Sequence, residues 1–137
     1  MTRFFILALL GLLLGACGND GPPLVANDVV VKPPMPGMRM TAGYLTLRND
    51  SGEEITIDRV TSPQFERVEM HETVIEDGVS RMQALPNVVL APGAMVEFKP
   101  GGKHLMLMRP GDDLTTVTLA FQSGDAVLLT VSVAVGQ

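Results

Sequence analysis

"LTTVTLAFQSGDAVLLTVSVAV", residues 114–135, is two runs of β-branched and aliphatic residues joined by the turn residues Ser-Gly-Asp. Runs of this length, bounded by turn formers and lacking a helical period, read as strands. Working back along the chain, the same grammar repeats. "KHLMLM" (103–108) lies between a Pro-Gly-Gly turn and "RPGDD", and "AMVEFK" and "NVVL" are separated by "APG". "IEDGVSRM" folds back as a hairpin around Asp77-Gly78. "FERVEMHE", "ITIDRVTS" and "YLTLRN" complete the set, the last two separated by "NDSGEE". Around nine short strands with tight turns, and no helix longer than a turn or two, predict an all-β domain: an antiparallel sandwich or barrel. No internal repeat is evident.

With 137 residues the chain has material for one core. Hydrophobic residues make up 46% of it, yet aromatics only 4% and Trp is absent, so that core is built from Val, Leu, Ile, Ala and Met.

The opening residues are of another kind. Arg3 supplies a positive n-region and "FFILALLGLLLGA" an apolar stretch that stops at Cys17, as in a secretory signal. Leu14-Gly15-Ala16-Cys17 fits the lipobox of bacterial lipoproteins, in which the signal is removed and the cysteine takes the lipid. The stretch is short for a membrane span of ~20 residues. The expected organisation is therefore a lipoprotein signal peptide over 1–16, a lipidated Gly/Pro-rich tether over 17–27, and a domain over 28–137 that opens with the strand "VVV". The Pro-rich "KPPMPGMRMTAG" then reads as a long loop. Such a protein sits lipid-anchored in the bacterial envelope, facing the periplasm.

Cys17 is the only cysteine, so lipidation leaves no thiol for a disulfide, a nucleophile or a thiolate metal site. Ten basic residues less Arg3 leave 9 against 15 acidic ones, a net charge of −6 that suits nucleic acid poorly. With two histidines and no free thiol, an enzyme's nucleophile and base are hard to assemble. A blue-copper electron-transfer site would need the missing thiolate.

What remains is a set of imidazoles and thioethers. In "KHLMLM" read as a strand, His104, Met106 and Met108 project one way and Leu105 and Leu107 the other. In "FERVEMHE", Phe65, Arg67, Glu69 and His71 share one face, leaving Met70 opposite His71. Met70 and Met95 are therefore expected as core filler. Uncharged imidazole nitrogen and thioether sulfur together suit Cu(I) better than Mg, Ca or Mn. Glu69, Glu72, Glu76 and Asp77 are candidates for steering cations or a basic partner. Met35, Met38 and Met40 in the Pro-rich loop read as cover for one end of the sandwich or as an auxiliary transfer surface.

His71 is followed by ten residues and Met82, then by twenty-one and His104, then by one and Met106. This spacing resembles the copper-binding signature of the PCuAC family of periplasmic copper chaperones. The neighbouring text, "HETVIEDGVSRMQAL", "LAPGAMVEFKPGGKHLMLM" and "LTTVTLAFQSGD", is similar to that family as well. The resemblance implies a cupredoxin-like Greek-key β-sandwich with His71, Met82, His104 and Met106 as ligands to one Cu(I). It also implies delivery to the dinuclear copper site of cytochrome c oxidase, directly or through a thiol-bearing copper assembly protein. The chain departs from the family in placing Val29, Val30 and Val31 where an aromatic is expected, and no His/Met-rich tail follows the last strand. The rival readings are an envelope β-sandwich lipoprotein that acts as a protein-binding module, and a copper-buffering or resistance protein.

Overall fold

A computed structural model describes residues 22–136; the expected signal peptide and the lipid-bearing Cys17 lie outside these described residues. The eleven strands of this region are β1 (Leu24–Val31), β2 (Met40–Asn49), β3 (Ile55–Ile57), β4 (Arg59–Thr61), β5 (Phe65–Glu76), β6 (Val79–Ala84), β7 (Val88–Leu90), β8 (Met95–Phe98), β9 (Lys103–Pro110), β10 (Thr116–Ser123) and β11 (Ala126–Ala134). No helix occurs among the described residues.

The main sheet runs β1-β2-β9-β5-β4-β10-β11, with β6 added to β5 and β8 to β2, and every pairing in it is antiparallel. β3 and β7 form a separate two-stranded sheet. The amide of Gly136, just past β11, donates to the Val31 carbonyl at the end of β1 (3.0 Å), which brings the two outer strands together. The sheet is thus a nearly closed barrel, the cupredoxin-like all-β fold that the resemblance implied.

Strand alternation fills the interior. Leu45 and Leu47 of β2, Leu105 and Leu107 of β9, and Leu119 and Phe121 of β10 are buried. Each such side chain stabilises the fold by roughly 1.5–3 kcal/mol relative to an exposed one. The hairpin at Asp77-Gly78 forms as expected, with φ of 51° and 78° at its two central residues, as a type I′ turn requires.

Three boundaries differ from the sequence reading. β1 begins at Leu24, four residues before the expected domain start, because Leu24 is fully buried and residues 24–27 pair with Thr46–Asn49 of β2. β2 likewise starts at Met40 and shortens the Pro-rich loop, since its first four residues pair with β9. "ITIDRVTS" is two strands in two sheets: Ile57 and Val60 are both buried, which strict alternation forbids, and the chain changes sheet at Asp58. The Asp58 carboxylate accepts from the Gly124 amide at this crossing (2.9 Å). Met70 is core, but Met95 is exposed, because the inward positions of β8 are Val96 and Phe98.

Candidate metal centre

β9 supplies the spine of the site. Leu105 and Leu107 point into the barrel, so the alternate residues His104, Met106 and Met108 lie on its outer face. On β5 the buried Met70 plays the same part, and Glu69, His71 and Thr73 face outward. The register places His71 opposite His104, and Glu69 opposite Met106. On β6, Met82 lies opposite Thr73 and Ala84 opposite His71, so Met82 is the diagonal neighbour of His71 on the same face. On the other flank Ala42 pairs with Met106, and Met40 with Met108.

β2 and β9 approach closely at Gly43. A Cβ there would come within 3.1 Å of Leu107 Cδ1 and 3.4 Å of Leu105 Cβ, so the Leu107 side chain would have to give by a few tenths of an ångström.

The two imidazole rings lie 5.9 Å apart between centroids, tilted by 58°. His71 Nε2 is 2.8 Å from a Glu69 carboxylate oxygen, whose partner oxygen takes an ion pair from Arg67 (3.0 Å). An ionised carboxylate only accepts, so in the neutral ring Nε2 is the protonated nitrogen and Nδ1 holds the lone pair. That Nδ1 is the one buried side-chain nitrogen or oxygen among the described residues with no hydrogen-bond partner. Leaving such a group unsatisfied costs about 1–3 kcal/mol.

His104 is oriented by a different device. Its Nδ1 lies 3.1 Å from the Gly102 carbonyl, which can only accept; the proton is therefore on Nδ1 and the lone pair on Nε2. The same carbonyl accepts from the Thr73 amide (3.1 Å), and the Gly102 amide donates to Lys99 O (3.1 Å). The Pro-Gly-Gly turn thus builds the rest on which the ring sits. Each histidine has one nitrogen held by an oxygen acceptor and the other left as a donor of a lone pair, the arrangement that orients metal-binding imidazoles.

His104, Met82 and Met106 line one open hollow of about 340 Å³ together with Met35, Met38, Met40, Tyr44 and Thr73. His71 is not part of that lining and enters the site through its ring beside His104. Met82 is 62% exposed on β6, which is paired on one side only, whereas His104 is 8% exposed in the middle of the sheet. Among the described residues no three His, Cys, Asp or Glu side chains converge to hold a metal ion.

Sequence reasoning cast Glu69 only as a steering charge; its part as acceptor for the His71 ring was signalled by its place two residues away on the same strand face. Glu72 instead pairs with Lys103 (2.8 Å), and Glu76 lies 3.9 Å from Arg81. The support from the Gly102 carbonyl has no sequence signal, being a backbone contact made by the turn.

The fold is the cupredoxin-like one of PCuAC domains. The copper-bound PCuAC domain from PmoF2 matches with a TM-score of 0.62 at 20% identity, over 82% of this chain and 92% of that one. The CuI form of DR1885 from Deinococcus radiodurans matches with a TM-score of 0.60 at 25% identity, over 89% of this chain and 82% of that one. The family described as "Putative lipoprotein LpqE-like" matches residues 24–135, and the chain belongs to this LpqE-like family. An uncharacterized protein of Rickettsia prowazekii is 30% identical over 100 residues, which are 69% of this chain and 55% of that protein. The chain therefore spans little more than half the length of that curated relative.

Proposed function

We propose that this chain is a Cu(I) metallochaperone of the bacterial envelope, anchored by lipid on Cys17 and facing the periplasm. One ion is held by His71 Nδ1, His104 Nε2 and the sulfurs of Met82 and Met106. All four donors are neutral, which favours a soft monovalent ion over hard divalent ones. The observation that carries the reading is the buried, unpartnered Nδ1 of His71 beside the His104 ring, on a face rich in thioethers. The copper-bound state of one structural neighbour and the CuI form of another support the choice of cargo, and the family's lipoprotein description supports the anchor.

Delivery follows from the unequal hold on the four donors. Met82 is exposed on a strand paired on one side only, so an incoming thiolate displaces it first; the histidines, held by Glu69 and the Gly102 carbonyl, let go last. Copper changes ligands without changing oxidation state. A thiolate-bearing acceptor fits this route, namely the dinuclear copper site of cytochrome c oxidase or a thiol-bearing assembly protein.

Anaerobic Cu(I) competition against a coloured chelator tests the site. Against a strong chelator the natural protein should withdraw one tightly held equivalent, and H104A/M106L should lose that tight binding; full retention by the variant overturns the assignment. Transfer to an apo acceptor then separates a chaperone from a protein that only sequesters.

A further inference from the structure

Six of the methionines on this molecule occupy one region: Met82, Met106 and Met108 on the sheet face, and Met35, Met38 and Met40 where the Pro-rich loop enters β2. The four proposed ligands account for only two of them. Met35, Met38 and Met40 line the same hollow as His104 and Met106, yet they are 69%, 46% and 44% exposed, which is poor cover for a core.

The loop is nonetheless built. The Met38 amide donates to Met35 O (2.9 Å), closing a turn that brings these two residues to one side. At its base Thr41 Oγ1 donates to Lys32 O (2.6 Å) and the Lys32 amide to Ala42 O (3.0 Å). Met40 is already in strand, opposite Met108 on β9 and two residues from Ala42, the partner of Met106. Three long, flexible thioethers are therefore presented from a fastened loop to an open hollow, with the histidine site on its other wall. Methionine has three rotatable bonds, so such side chains can close on an ion at little backbone cost.

We infer that Met35, Met38 and Met40 form a second, all-thioether site for a soft monovalent cation, Cu(I) or Ag(I), beside the histidine site. The inference rests on the proposed function only in taking Cu(I) as cargo. Three neutral sulfurs match such an ion and discriminate against hard cations. Without imidazole the site is the weaker of the two, so it fills second and empties first.

The test is titration of the folded domain, methyl-¹³C-labelled at methionine, with silver nitrate in chloride-free buffer. Two equivalents are expected: the first shifts the Met82 and Met106 methyls, the second those of Met35, Met38 and Met40. Buried Met70 and outlying Met95 should stay still throughout. M35L/M38L/M40L should lose the second equivalent and keep the first, and H104A/M106L should do the reverse. Loop methyls that stay still through two equivalents, or that move no earlier than Met95, overturn the inference. Shifts at the loop without any at Met82 and Met106 uphold it while refuting the proposed ligand set.

Discussion

Replacing Glu69 by Ala removes the acceptor that fixes one imidazole and leaves the other untouched. In the folded protein Glu69 holds the His71 Nε2 proton at 2.8 Å, while the His104 ring is held by a backbone carbonyl that no side-chain substitution removes. Without the carboxylate, the His71 ring can exchange tautomers and put a proton on the nitrogen that must give its lone pair. Loss of such an outer partner typically lowers metal affinity by about 10- to 100-fold, or about 1.4–2.7 kcal/mol. The fold should be little disturbed, since the Glu69 side chain is 35% exposed and its pair with Arg67 is of the surface kind, worth about 0–1 kcal/mol. Arg67→Ala, which takes away only the brace on the carboxylate, is the control and should weaken binding by less than about tenfold. Chelator competition measures the affinities and thermal unfolding of the apo proteins measures the fold. Unchanged affinity in a folded Glu69→Ala protein would refute the assignment of Nδ1 as the donating atom.

Three other perturbations test the remaining arguments. His71→Phe removes the unsatisfied nitrogen, so the apo protein should unfold at an equal or higher temperature, by up to about 4 °C per kcal/mol recovered, and Cu(I) should raise the unfolding temperature of the natural chain but not of the variant. Asn49 is fully buried; its Nδ2 donates to the carbonyls of Glu53 (2.7 Å) and Leu90 (2.9 Å), and its Oδ1 accepts from the Ser51 amide (2.9 Å). Asn49→Ala strands these groups and should cost about 2–4 kcal/mol in urea unfolding. Arg48 hydrogen-bonds and attracts Asp50 and holds its carboxyl below the usual value. A depressed folded value means the contribution is full above about pH 4 and is lost as pH falls further, so Asp50→Asn should lower the neutral Tm slightly, converge with the natural chain below about pH 4, and so flatten the acid limb of a Tm-against-pH curve by that same small amount.

The strands around the site were legible because their faces differ in character. Leu105 and Leu107 against His104, Met106 and Met108 state the orientation of β9 before any partner is known, and Met70 against His71 does the same for β5. Where local alternation failed, a tertiary demand overrode it. At Asp58 the chain passes between sheets, so Ile57 and Val60 both turn inward; at Leu24 a polar-looking tether is taken into the sheet because β2 offers a pairing edge. Met95 faces solvent because Val96 and Phe98 take the inward positions of β8.

Residue chemistry and period-two patterning, both local properties, were enough by themselves to predict an all-β chain with its single cysteine ahead of the domain; the set His71, Met82, His104 and Met106 came from a spacing that resembles the PCuAC copper signature. Only the tertiary structure decided that His71 lies opposite His104 with Met82 on its diagonal, which nitrogen of each ring is free, and that the loop methionines open onto the same hollow. Those outcomes depend on strand register and on hydrogen bonds from Glu69 and a turn carbonyl. Register is set when strands distant in sequence pack their apolar faces on a common core, and a one-residue slip of a strand would turn its outward-facing His and Met side chains inward.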